Sequence, residues 1–126
     1  MKLIHLDKAF NGFSVNDLAE AKRFYGEVLG VPVEEIPAGL QLQIGNGILV
    51  YPKGDHEPAT YTVLNFPVDD IDEAVTDLKS KGVKFELYPG VTDHLGIARG
   101  IASGRGPDIA WFKDPAGNIL SVLHQP

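Results

Sequence analysis

Residues 13–21 read FSVNDLAEA, and residues 66–74, which lie 53 positions later, read FPVDDIDEA. Five of these nine positions are identical, and the match continues in a Gly-Val pair at residues 30–31 and again at 82–83. A repeat of this length predicts two similar half-domains that bury their apolar faces by packing or pairing. A cup or cleft where such halves meet is a common binding place for small molecules.

Each copy of the repeat predicts a strand followed by a helix. The apolar, β-rich residues 10–15 and 61–68 precede Asp17 and Asp70, and each aspartate has a glutamate three residues later, as expected for a helix N-cap. Apolar stripes predict one helix over residues 18–29 and a shorter one from residue 71 to residue 78. Gly30 and Gly82 suit the left-handed position that ends a helix.

Three further strands are predicted after each helix. They cover residues 31–36, 40–44 and 48–51 in the first half, and 83–87, 109–113 and 119–124 in the second. Asn46-Gly47 and the segment Asp114 to Asn118 are favoured hairpin turns. The glycine-rich residues 88–107 predict a long loop, either a flap over a pocket or a plain solvent loop.

These patterns predict an α+β protein. Tandem βαβββ modules, residues 8–52 and 59–126, would form one domain over residues 1–126. A ferredoxin-like sandwich is the alternative fold, and it requires two fewer strands than the sequence indicates.

Composition excludes several classes of protein. The 126 residues carry a net charge of −6 and a pI near 5.0, without the clustered Lys and Arg that nucleic-acid binding requires. No apolar run approaches the length of a membrane span, and the first residues do not resemble a secretory signal. The absence of cysteine excludes disulfides, thiolate metal sites and cysteine nucleophiles. We therefore expect a cytoplasmic protein with neither a nucleic-acid nor a membrane partner.

Two motifs carry a family resemblance. Residues 24–31 read FYGEVLGV and residues 111–118 read WFKDPAGN. Together with the tandem repeat they resemble the vicinal oxygen chelate superfamily, which includes glyoxalase I, the extradiol dioxygenases and the bleomycin resistance proteins. The resemblance implies a glyoxalase-like fold in which the two modules form a half-barrel cup. Homodimers are common among relatives of this length, so it also implies a homodimer.

The resemblance further implies where a metal would be held. Enzymes of the family usually bind a divalent metal with His and Glu side chains from the first strand of each half and from the last strand. The matching positions here are Phe10, Val63 and Ser121, and a possible fourth falls near Leu49. None of these side chains offers an imidazole or a carboxylate. We therefore expect no metal and no cofactor, and we expect the four histidines, none of them at ligand spacing, to be solvated.

Strand alternation predicts which side chains line the cup. Phe10 and Ser14 are expected there from the first half, and Val63, Asn65 and Ser121 from the second. Tyr51 and Trp111 are further candidates, although the turn next to Trp111 does not fix the face on which it lies. Such a lining suits an uncharged or aromatic small molecule. In the alternative interpretation, the protein's own side chains fill the cup.

The leading functional hypothesis is a metal-independent small-molecule binding protein, similar in type to the bleomycin resistance proteins. The first alternative is a lyase or isomerase related to lactoylglutathione lyase. It would use unrecognised metal ligands or acid and base groups of the long loop, namely Asp93, His94 and Arg99. The second alternative is a structural or interaction role with a collapsed cup. No catalytic residue can be assigned from the sequence.

Overall fold

The chain forms two compact units, which span Met1–Glu57 and Pro58–Pro126. A computed structural model describes residues 3–126. Each unit contains one four-stranded mixed sheet and a helix that follows its first strand. The predicted α+β class and the tandem βαβββ order are therefore confirmed. The ferredoxin-like alternative is wrong, because the strands belong to two separate sheets rather than to one.

The first unit has its sheet strands in the spatial order β1-β4-β3-β2. The strand β1 pairs in parallel with β4, and the other two pairings are antiparallel. Its elements are β1 (Gly12–Val15), α1 (Leu18–Lys22), β2 (Val33–Ile36), β3 (Gly39–Leu42) and β4 (Ile48–Pro52), preceded by a 3₁₀ turn over Leu6–Lys8.

Alternation along these strands builds the core of the first unit. Phe13 and Val15 of β1 are buried. Val50 is in register with Phe13 and Leu40 is in register with Val50, so these buried side chains share one face of the sheet. Side chains of the helical segment complete this core, and Tyr25 is fully buried within it.

The first helix differs from the single α-helix predicted over residues 18–29. It is α-helical only to Lys22 and continues as π-helical turns over Arg23–Val28. The wider turns allow the consecutive aromatic residues Phe24 and Tyr25 both to be buried, with their rings in edge-to-face contact at 5.3 Å between centroids. A stripe at α-helical spacing could not reveal this change.

The second unit repeats the topology of the first, with the strand order β5-β8-β7-β6. The pairing of β5 with β8 is again parallel, and the other two are antiparallel. Its elements are β5 (Thr62–Pro67), α2 (Ile71–Ser80), β6 (Ile97–Arg99), α3 (Gly100–Ser103), β7 (Asp108–Lys113) and β8 (Ile119–His124). The helix α2 packs on β7 and β8, over Phe112, Leu120 and Val122.

Two predictions for the second unit are wrong. Residues 83–87 do not form a strand and contribute only an isolated bridge between Phe85 and Phe112. The missing strand, β6, lies instead at residues 97–99, inside the predicted loop 88–107, and α3 follows it directly. Pairing of Ile97 with Ala110 buries both residues completely, which accounts for the position of the strand.

The predicted caps and the predicted turn before the last strand are confirmed, whereas the turn between β3 and β4 is centred on Gly45-Asn46 rather than on Asn46-Gly47, because the N–H of Gly47 donates to the carbonyl of Ile44. Asp17 accepts a hydrogen bond from the backbone N–H of Glu20 at 3.1 Å, and Asp70 accepts one from Glu73 at 3.0 Å. Gly30 and Gly82 have the left-handed φ angles of 74° and 91° expected where a helix ends. The segment Asp114 to Asn118 joins β7 to β8 as a hairpin.

Candidate functional site

Three of the predicted ligand-binding residues lie side by side on the sheet of the second unit. Asn65 is in register with Ser121, and Ser121 is in register with Trp111 on the next strand. Residues in register point to the same face of a sheet. This face is opposite to the one that α2 covers, because Phe112 and Leu120 alternate with Trp111 and Ser121. We call Asn65, Ser121 and Trp111 the polar row.

The hydrogen bonds of the polar row leave two donors available. The buried hydroxyl of Ser121 donates to Oδ1 of Asn65 at 2.5 Å. Within residues 3–126, neither the amide nitrogen of Asn65 nor the indole nitrogen of Trp111 has a hydrogen-bond partner. Asn65 is exposed and Trp111 is half-buried, so both groups can be reached.

A second aromatic side chain, Tyr88, borders the polar row. Tyr88 packs edge to face against Trp111 with 5.6 Å between ring centroids. The backbone of this segment is tied to β7 nearby, where the N–H of Glu86 donates to the carbonyl of Trp111 at 2.8 Å. Sequence reasoning missed Tyr88, because residue 88 lies beyond any periodic stretch. The register of β7 also settles the face of Trp111, which the sequence left open.

Val63 does not follow the alternation on which its prediction depended. A bulge shifts the register of β5 between Thr62 and Leu64, so that Thr62 is opposite Ile119 while Leu64 is opposite Leu120. One residue of the strand is therefore extra at this point, and it is Val63. Thr62 takes the place on the polar-row face that a regular strand would give to Val63. A role for Val63 in ligand binding stays a prediction.

In the first unit, the sheet face opposite the core carries Ser14 and Tyr51, which are in register. Nδ1 of His56 lies 2.6 Å from the hydroxyl oxygen of Ser14, and both residues are half-buried. Phe10 lies just before β1 and is 64% exposed. A ligand-binding role for these first-unit side chains also stays a prediction.

None of the four histidines is buried, but His56 and His124 are only half-buried and each makes a contact that the sequence did not predict. His56 contacts Ser14, and His124 lies 3.1 Å from the carbonyl oxygen of Val68 through Nδ1. His56 is brought to Ser14 because the segment after β4 continues beside β1, with the N–H of Lys53 donating to the carbonyl of Val15. Nothing in the local sequence signals this contact.

The side chains at the positions that the resemblance assigns to a metal do not fit one. Phe10, Leu49 and Val63 offer only carbon, and the Ser121 hydroxyl is engaged with Asn65. Elsewhere in residues 3–126, no group of three or more His, Asp or Glu side chains is arranged to hold a metal ion. Transition metals in proteins require nitrogen, sulfur or carboxylate donors that converge on one point. We therefore derive no chemistry through a metal.

The charged residues of the predicted loop form a structural network. Arg99 makes two hydrogen bonds with Asp72 of α2, at 2.9 and 2.7 Å, and a third with Asp93 at 3.1 Å. The bond from Arg99 holds the pKa of Asp72 below its ordinary value of 3.8. Partial burial raises the pKa of Asp93, but the N–H groups of Ile97 and Leu95, together with Arg99, outweigh that effect and lower it. His94, the third loop candidate for acid or base chemistry, is exposed.

Solved structures with the same fold confirm the architecture. A protein from Bacillus anthracis with a provisional assignment to the glyoxalase family superposes with a TM-score of 0.72 at 22% identity, and all of each chain is covered. An integron cassette protein from the mobile metagenome of V. cholerae gives 0.63 at 26% identity, covering 100% of this chain and 98% of that one. An antibiotic binding protein, TnmS3 from Streptomyces sp. CB03234, gives 0.66 at 21% identity, covering 100% and 99%.

Comparison of sequences shows the family of the chain more directly than comparison of structures does. No curated protein matches it. In the part of the chain that the structure describes, no helix is both long and apolar enough to cross a membrane. The family model described as the Glyoxalase/Bleomycin resistance protein/Dioxygenase superfamily matches residues 3–122. The match covers nearly the whole chain and agrees with the fold of both units, so the protein belongs to the glyoxalase/bleomycin resistance protein/dioxygenase superfamily.

Proposed function

We propose that the protein binds a small uncharged or aromatic molecule without a metal ion. The observation that carries this proposal is the polar row, where two uncommitted hydrogen-bond donors lie beside an aromatic ring. Binding sites for small molecules combine apolar and aromatic surface with a few placed polar groups, and the polar row has this composition. The antibiotic-binding activity of TnmS3, which shares the fold, supports a binding role.

The chemistry of the polar row indicates the class of ligand. The Asn65 amide and the Trp111 indole both donate, because the oxygen of Asn65 already accepts from Ser121. A ligand with a carbonyl or ether oxygen would satisfy both donors, and a flat ring would stack near Trp111 and Tyr88. No ionised side chain belongs to the polar row, which favours a neutral ligand over a charged one.

The enzymatic alternative has less support. A general acid or base must be close to the proton that it transfers. Two of the three loop candidates, Asp93 and Arg99, are held in ion pairs. Arg99 also extends to α2, which covers the sheet face opposite the polar row. We therefore assign no catalytic residue.

We also propose that the chain forms a homodimer. Its exposed apolar side chains Leu3, Ile4, Leu6 and Phe10 support this expectation.

A ligand screen with a matched set of variants tests the proposal. Neutral aromatic carbonyl compounds are first screened by thermal shift, and those that stabilise the protein are titrated while the fluorescence of Trp111, the only tryptophan, is followed. Asn65→Ala removes one donor and should weaken binding roughly tenfold, because a hydrogen bond contributes about 1–1.5 kcal/mol.

The control variant is Asn16→Ala, since Asn16 is exposed and lies before α1 of the other unit. It should bind like the unchanged protein. Equal affinities of Asn65→Ala and Asn16→Ala would contradict a site at the polar row.

A further inference from the structure

The second unit contains a cavity of about 550 Å³ that the polar row does not use. It lies among residues 90–93, the edge strand β6 and the turn that joins α3 to β7. Its volume is within the range of roughly 300–1,000 Å³ that is typical of small-molecule sites. Apolar side chains make up much of the lining, among them Val91, Pro107 and Ile109.

Hydrogen bonds fix one wall of the cavity. Oδ1 of Asp93 accepts from the N–H groups of Leu95 at 2.9 Å and Ile97 at 3.0 Å, and Oδ2 pairs with Arg99. The hydroxyl of Thr92 accepts from the N–H of Tyr88 at 2.8 Å. These bonds hold the loop in one conformation, so the wall does not have to be ordered when a ligand binds.

The opposite wall is also fixed by backbone contacts. The N–H of Arg105 donates to the carbonyl of Gly100 at 2.9 Å, and the N–H of Ile101 donates to Asp108 at 3.1 Å. A Cβ atom at Gly100 would lie only 2.3 Å from the carbonyl oxygen of Pro107, so the turn closes on a residue without a side chain.

One charged group of the lining is not engaged. Asp93 and Arg99 both line the cavity, but they pair with each other, and Arg99 also pairs with Asp72. Arg105 also lines it, and within residues 3–126 its guanidinium group makes no ion pair. A guanidinium group binds carboxylates through two parallel hydrogen bonds, and it is the residue that proteins favour for this purpose.

We infer that this cavity is a second binding site, which takes a small carboxylate with an apolar body. Arg105 pairs with the carboxylate, and the apolar lining contacts the rest of the molecule. The net charge of −6 repels anions from the protein as a whole, so binding of an anion must come from this local arrangement.

Benzoate tests the inference, with benzamide as its neutral isostere and inorganic phosphate as an anion without an apolar body. Titrations of ¹⁵N-labelled protein are followed by backbone amide shifts. Benzoate should give saturable shifts at residues 90–93 and 105–109, and both comparison compounds should bind at least about tenfold more weakly. The variant Arg105→Gln should lose at least about tenfold in benzoate affinity, whereas Arg105→Lys should retain part of it.

The control is Arg23→Gln, which removes an exposed arginine of the first unit that pairs with Glu20. It should leave benzoate binding unchanged, and the amide spectra show whether each variant is folded. Equal binding of benzamide, or equal affinities of Arg105→Gln and Arg23→Gln, would overturn the inference. Shifts centred on Asn65 and Ser121 would do so as well, while leaving the proposed site for neutral ligands untouched.

Discussion

At the scale of single residues, Asp114 shows how one side chain can define a turn. Its Oδ1 atom accepts from the N–H groups of Ala116 and Asn118 at 2.9 Å each, and its Oδ2 atom accepts from the amide of Asn118 at 3.0 Å. Asp114 and Asn118 are both buried, at 5% and 2% exposed. The turn sets the register of β7 against β8, and this register aligns Trp111 with Ser121.

Asp114→Ala should therefore destabilise the protein by about 2–3 kcal/mol, because it leaves buried donors without their acceptor. Asp114→Asn should destabilise the protein less, since one acceptor oxygen remains. The free energy of unfolding, measured in urea, checks both values. Asp69→Ala, at an exposed position, is the control and should change stability by no more than about 0.5 kcal/mol. A loss of that small size for Asp114→Ala would contradict this account of the turn.

Residues whose role is local could be predicted from the sequence. Asp17 and Asp70 cap helices through bonds to backbone three residues away, and the turn of Asp114 closes over five residues, so short motifs were sufficient. The partners of His56 and Tyr88 lie 42 and 23 positions away in the sequence. Such contacts depend on how the strands are arranged, which no short motif encodes.

At the scale of elements, the Arg99 network joins β6 to α2. Folding lowers the pKa values of Asp72 and Asp93 below 3.8, the ordinary value for an aspartate. A carboxyl whose pKa is lower in the folded state stabilises the protein fully above its unfolded pKa. That contribution is lost as the pH falls through the folded value.

Arg99→Gln should therefore lower stability at neutral pH, and the difference from the unchanged protein should shrink as the pH falls below 3.8. Urea midpoints measured from neutral pH down to acid check this dependence. Arg105→Gln, which removes an arginine without an ion pair, should have the same urea midpoint as the unchanged protein at every pH. Unchanged midpoints for Arg99→Gln as well would show that the network contributes nothing to stability.

The elements whose positions were predicted wrongly lie where the two repeats diverge. The repeated motif covers most of β1, the end of β5 and the starts of α1 and α2, and the prediction of these elements succeeded. Between α2 and β6 the second unit has 16 residues, Lys81 to Gly96, and the repeat is no longer recognisable in them after the Gly-Val pair at 82–83. Residues 83–87 have the composition of a strand, but the paired position beside β7 belongs to Ile97–Arg99.

At the scale of the whole molecule, the helix of each unit covers one face of its sheet and leaves the other face uncovered. The exposed apolar residues near the amino terminus, with Leu3 at 85% and Leu6 at 75%, favour association of two chains. Light scattering during size-exclusion chromatography should give about twice the 13.6 kDa mass of one chain. A mass of one chain at all concentrations would contradict the homodimer.

Metal content, measured together with ligand affinity, decides whether this chain binds a small molecule without a metal ion. The protein is dialysed against EDTA, its metals are quantified, and a neutral aromatic ligand from the screen is titrated before and after the treatment. We predict substoichiometric metal throughout and the same dissociation constant in both titrations. One tightly retained metal ion per chain, with binding that disappears on its removal and returns when it is restored, would contradict binding without a metal ion.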